Sequence, residues 1–210
     1  MRLRSTMRSR RLGWAAAAVL LAVGGAAQAS APKPVPSALA RMTPEDVAAR
    51  VEVRDDPLEE HIRFSTKPVH RRGSAADGVA VNDGYVTALR SREGGEVRWR
   101  VNHELSYLGA RRDLRVVHLR TAQGLEKIPP SAVRRWDDGC PEPSTSCLQH
   151  VRVEFEAPER VIREIAAAWK PGGREAWPLR FKDAYGQDVT VGLAPAEVAG
   201  LVQAVDAWRR

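Results

Sequence analysis

Through the middle of the chain, apolar and polar positions alternate with a period of two, the spacing of a strand with one buried face. Residues 85–92 and 96–107 form such a pair around Glu93-Gly94-Gly95. Two turns could join them. A two-residue Gly94-Gly95 loop opposes Leu89 with Arg100 and Arg90 with Trp99. A three-residue loop opposes Leu89 with Trp99 and Thr87 with Val101, which keeps the apolar side chains together. It also puts Gly95 where such a loop wants a left-handed residue. The three-residue register is therefore expected. Further strands are expected at 61–65, at 114–121, at 128–136 with an interruption at Pro129-Pro130, and at 148–156. A hairpin should join 179–182 to 188–192 around Tyr185-Gly186.

Two stretches near the C-terminus change to helical periodicity. From Pro158 to about Lys170, Val161, Ile162, Ile165, Ala168 and Trp169 form an apolar stripe, and Pro171-Gly172-Gly173 stops it. Pro195 opens the second, with Val198, Leu201, Val202, Val205 and Trp208 on one face. A short helix is expected after Thr43, with Thr43 as N-cap, Pro44 at the first position and acids in the first turn. These elements make an α+β domain over 43–210. An antiparallel sheet of about six or seven short strands lies beneath two C-terminal amphipathic helices.

The N-terminus has a different character. Residues 1–13 are basic, 14–23 (WAAAAVLLAV) are apolar, and 24–29 (GGAAQA) are small. This order predicts a secretory signal cleaved between Ala29 and Ser30. The apolar core is half the length a membrane span needs, so no stable span is expected after cleavage. Ser9-Arg10-Arg11-Leu12 leaves a twin-arginine route open. The three prolines in 30–42 suggest a semi-rigid spacer. Removing 1–29 changes the charge picture. The whole chain of 210 residues has a formal charge of +7, from 33 basic and 26 acidic residues. Five of those bases (Arg2, Arg4, Arg8, Arg10, Arg11) and no acid precede Ser30, which leaves 28 against 26. A chain so close to neutral is not expected to bind nucleic acid through an overall field.

Cys140 and Cys147, in the sequence CPEPSTSC, are expected to form a disulfide in an exported protein. Closing so short a loop contributes about 2.5 kcal/mol in the chain-entropy account. A zinc site would need two more ligands, and His150 is the one imidazole nearby, so neither metal nor cofactor is expected. His61, His70, His118 and His150 are scattered. His103 shares the apolar side of its strand with Trp99 and Val101 and reads as a core histidine. Glu154 and Glu156 lie about 7 Å apart on one strand face, where a solvated face is the simplest reading. Asp55-Asp56 and Glu59-Glu60 lack the spacing of a calcium loop. No G-x-S-x-G, H-E-x-x-H or nucleotide motif occurs.

One charge pattern points toward a ligand. The expected register sets Arg90 opposite Arg98, with Arg100 next on the same polar face. Like charges directly opposite destabilise a strand pair. Either Glu154 and Glu156 neutralise that face from a neighbouring strand, or Arg90, Arg98 and Arg100 meet an anion.

The strand pair YVTALRSREGGEVRWRVNHELSY, the Cys140–Cys147 loop and the closing FKDAYGQDVTVGLAPAEVAGLVQAVDAW resemble a group of small exported proteobacterial proteins of unknown function. The resemblance implies export and this order of strands and helices, and carries no activity. The expectation is a periplasmic or secreted binding module of the cell envelope whose partner is an anionic envelope component or another envelope protein. The alternative is an envelope hydrolase with dispersed active-site residues.

Overall fold

The computed structural model describes residues 32–69, 82–109, 111–137 and 148–208. The signal segment with its Ala29–Ser30 boundary, and both Cys140 and Cys147, lie outside these residues. Within them the fold is α+β, as the periodicity implies, but the strands divide between two sheets.

The larger sheet has six strands: β1 (Glu52–Arg54), β2 (His61–Ser65), β3 (Asn82–Ser91), β4 (Val97–Leu108), β8 (Leu148–Ala157) and β7 (Ala132–Asp137), in that spatial order. The smaller sheet runs β10 (Val189–Leu193), β9 (Trp177–Asp183), β5 (Leu114–Thr121) and β6 (Gly124–Ile128). Every pairing is antiparallel. The stretch 128–136, expected to be one strand, is two strands in different sheets. Proline cannot donate to a ladder, so Pro129-Pro130 ends β6 in one sheet and releases the chain to begin β7 in the other.

The inner face of the large sheet carries Phe64, Val86, Ala88, Trp99, Val101, Val153 and Phe155 into the main core. Helices α3 (Glu159–Ala167) and α4 (Pro195–Ala207) cover one part of it. The small sheet covers another part. Phe181 of β9 meets Phe155 edge-on with ring centroids 6.4 Å apart, and His103 at 5.6 Å. Helix α3 is one-sided, as expected, and buries Val161, Ile162 and Ile165. Helix α4 is instead enclosed on several sides, with Glu197, Val198, Gly200 and Leu201 all buried. Helix α2 (Pro44–Ala48), with the expected Thr43 cap and a reciprocal Asp46 bond, lies against it. Gly200 permits that approach, since a Cβ there would stand 2.4 Å from Val47 Cβ.

Residues 32–42, expected to be a spacer, pack on the domain instead. Val35, Leu39 and Ala40 are buried with Val47, Ala176 and Ala194 in a second apolar cluster. The short helix α1 (Ser37–Ala40) carries Leu39 into it. Val35 N–H donates to the Arg174 carbonyl at 2.9 Å, and Arg174 Nε returns a bond to the Val35 carbonyl at 3.1 Å. The prolines pre-set an extended backbone, but Val35 and Leu39 give it something to bury.

The β3–β4 register differs by one residue from the expected one. Ala88 opposes Trp99, Leu89 opposes Arg98 and Arg90 opposes Val97. Residues 92–95 form a four-residue turn closed by Ser91 N–H donating to the Glu96 carbonyl, with Gly95 still left-handed at φ +69°. The physical reason lies farther down the pair. In this register Gly84 opposes His103, and a Cβ at 84 would already stand 2.7 Å from His103 Nδ1. The expected register would have put Tyr85 there.

Candidate anion-binding surfaces

The register shift separates the three arginines expected on one face. Arg90 points inward, and its Nη1 donates to the carbonyls of Val205 (3.2 Å) and Trp208 (3.0 Å), closing the C-terminus of α4. Arg98 and Arg100 remain on the outer face of the large sheet, where the neighbouring strand supplies acids. Arg100 Nη1 lies 3.1 Å from Glu154 Oε1, and Arg100 Nε lies 3.2 Å from Glu156 Oε1. Arg98 Nη1 is 4.0 Å from the same Glu156 oxygen, and its Nη2 is 3.2 Å from His61 Nε2. Two cations therefore share two carboxylates. One step along, Arg152 is held by Glu104 through Nε (3.2 Å) and Nη2 (2.6 Å). Of the two readings open from sequence, the observed contacts are those of a neutralised face.

The remaining sequence candidates are placed as follows. His103 is 0% exposed, with its ring against Phe181. At one end of the outer face, Ser106 Oγ lies 2.7 Å from His150 Nδ1, and the His150 ring stacks on Trp136 at 5.1 Å and 8°. Arg92 holds the acidic 55–60 loop, with Nη2 on Asp55 Oδ1 (2.5 Å) and Nε on the Glu59 carbonyl (2.8 Å).

The outer face of the small sheet has the opposite charge arrangement. Val117, Leu119, Leu179, Phe181 and Val191 point into the core, so the alternating residues point away. In strand order they form a row: Thr190 on β10, Arg180 on β9, His118 on β5 and Lys127 on β6, each opposite the next. Arg120 and Lys182 belong to the same outward set. Asp188 pairs with Lys182, and that pair holds the Asp188 carboxyl below its usual value despite partial burial. Arg180 Nε donates to Thr190 Oγ1 at 3.3 Å. Among the described residues, Arg120, Lys127 and Arg180 have no carboxylate within ion-pair distance. Burial, with Lys182 and Lys127 behind it, lowers the His118 pKa from its ordinary value. A neutral imidazole between two cations relieves the repulsion that full protonation would bring.

This row was not legible in the sequence. The residues belong to strands whose pairing, β5 with β9, joins positions some sixty apart in the chain. Local spacing shows an alternating strand at 114–121 and a hairpin at 179–192, and nothing in either says they touch.

No family model, curated protein or solved structure matches the chain.

Proposed function

We propose that this protein is an exported binding module of the cell envelope and holds an anionic envelope component on the outer face of its small sheet. The observation that carries this reading is the Arg180–His118–Lys127 row: two cations without a carboxylate partner flank an uncharged imidazole, and the nearby acid, Asp188, is already committed to Lys182. Arg180 and Lys127 lack an acid of their own, so a bound polyanion supplies the counter-charge through charge-assisted hydrogen bonds. Export is supported by the basic, apolar and small-residue order of 1–29. Among the described residues no helix is long and apolar enough to cross a membrane.

Titration of a sulfated oligosaccharide into the full chain tests the reading. Replacing Arg180 and Lys127 with Ala should weaken binding by about a hundredfold or more, since each charge-assisted contact contributes roughly 1.5–3 kcal/mol. Unchanged affinity would remove the small sheet from the account.

A hydrolase remains the second reading, favoured by one contact, Ser106 Oγ to His150 Nδ1 at 2.7 Å. Against it, Ser106 is 2% exposed, packed within the ladder near the end of β4. Labelling with a fluorophosphonate decides: the binding reading expects no adduct at Ser106, and the enzyme reading requires one.

A further inference from the structure

A second charge arrangement stands apart from the small sheet, at the β1–β2 edge of the large one. Arg54 and Arg63 are directly opposite each other in register, both on the outer face. With Lys67 just beyond β2, they line a cavity of about 150 Å³ together with Glu52 and Ser65. Three cations face one carboxylate. Glu52 is committed to Arg54, with Oε1 2.6 Å from Arg54 Nε. Among the described residues, neither Arg63 nor Lys67 has an acid within ion-pair distance. The Lys67 ammonium instead sits 5.8 Å from the centre of the Tyr85 ring. Ser65 Oγ accepts the Lys67 backbone N–H at 3.2 Å, which holds the hydroxyl group at the cavity wall.

We infer that this cavity is a binding site for a small hydroxylated oxyanion, a sugar phosphate or a sugar carboxylate. Each part of the lining has a counterpart in such a ligand. The oxyanion sits between Arg63, Lys67 and the Ser65 hydroxyl and relieves the Arg54–Arg63 opposition. Glu52 is acceptor-only when ionised, so it selects a ligand that brings a hydroxyl donor beside its anion. Tyr85 is not part of the lining, but its ring lies under the Lys67 ammonium and helps fix where that cation stands. The six-stranded sheet supplies a stiff floor, because β2 is paired on both sides, with β1 and with β3. The site shares no residue with the Arg180–His118–Lys127 row, so either can stand without the other.

Glu52 supplies a test that a purely structural role would not reproduce. It competes with the ligand for Arg54, so Glu52→Gln should tighten binding of inorganic phosphate severalfold while loosening the preference for sugars. The experiment is an amide-shift titration of the full chain with inorganic phosphate, glucose 6-phosphate, glucuronate and glucose. Glucose 6-phosphate and glucuronate should move the amides of Ser65 and Lys67 at concentrations well below those needed for phosphate, and glucose should move none. Arg63→Ala with Lys67→Ala should reduce the affinity at least tenfold with the fold intact, both side chains being at the surface. Two results would overturn the site: no shift at 52–67 with any oxyanion, or full affinity in the double variant. Equal affinity for phosphate and glucose 6-phosphate would overturn the ligand class.

Discussion

The outer faces of the two sheets carry the same kinds of residue and treat them differently. On the large sheet, β4 sets Arg100 against Glu156, and Arg98 and Arg100 share the two glutamates of β8. On the small sheet, β9, β5 and β6 set Arg180, His118 and Lys127 side by side. The difference is one of pairing, not composition: a cation on a strand is available to a ligand when its cross-strand neighbour is not an acid. Both faces are rich in arginine and lysine, and the register of each sheet decides which of those charges are already used.

The register itself is the place to break this contrast with most force. Gly84→Val would drive a branched side chain into His103, where even a methyl group is too close. Overpacking of this kind costs about 1–3 kcal/mol, and thermal unfolding should show a clear loss. If β3 slipped instead toward the register expected from sequence, Arg90 would leave the end of α4 and join Arg98, which amide exchange at 205–208 would report. Next in size is Lys127→Glu with Arg180→Glu. Reversing two charges of the row should abolish binding of a sulfated oligosaccharide, read by calorimetry, while the melting temperature holds or rises. The converse change sharpens the comparison. Glu154→Gln with Glu156→Gln frees Arg98 and Arg100, and these two arginines should then take up weak anion binding that they lack in the parent. Its stability should change by less than about 1 kcal/mol, because these pairs are partly solvated.

The smallest effect expected is a pH dependence centred on His118. Its folded pKa lies below the unfolded value of about 6.5. Protonation therefore favours the unfolded chain, and this group's contribution to stability falls as the pH drops through that value. A polyanion laid on Arg180, Lys182 and Lys127 reverses the local balance, with Asp188 the one acid nearby. Affinity should rise between pH 7.5 and pH 5.5, and His118→Gln should flatten that rise.

How much of this could be read from sequence follows from the range of each interaction. The strand at 148–156, the helix after Pro158 and the Thr43 cap are local, and their periodicities and stop residues place them well. The turn at 92–95 is also local, yet its register was set by Gly84 and His103, eight and more residues away from it. Pro129-Pro130 was visible as an interruption, but the passage from one sheet to the other at that point depends on partners, β5 and β8, that the local pattern does not name. The same limit applies to the surfaces. Arg98 and Arg100 are legible as a charged pair on one strand, and Glu154 and Glu156 as the acids able to answer them. Arg54 opposite Arg63, and Arg180 beside His118 and Lys127, come into being only when separate strands meet.

Amide-shift mapping of the full chain with a sulfated oligosaccharide tests whether the anion lies on the small sheet. Shifts should concentrate at 118–127 and 180–190 on the small sheet and leave the Arg98, Arg100, Glu154 and Glu156 block unmoved. Shifts centred on that block, with the small sheet silent, would contradict it.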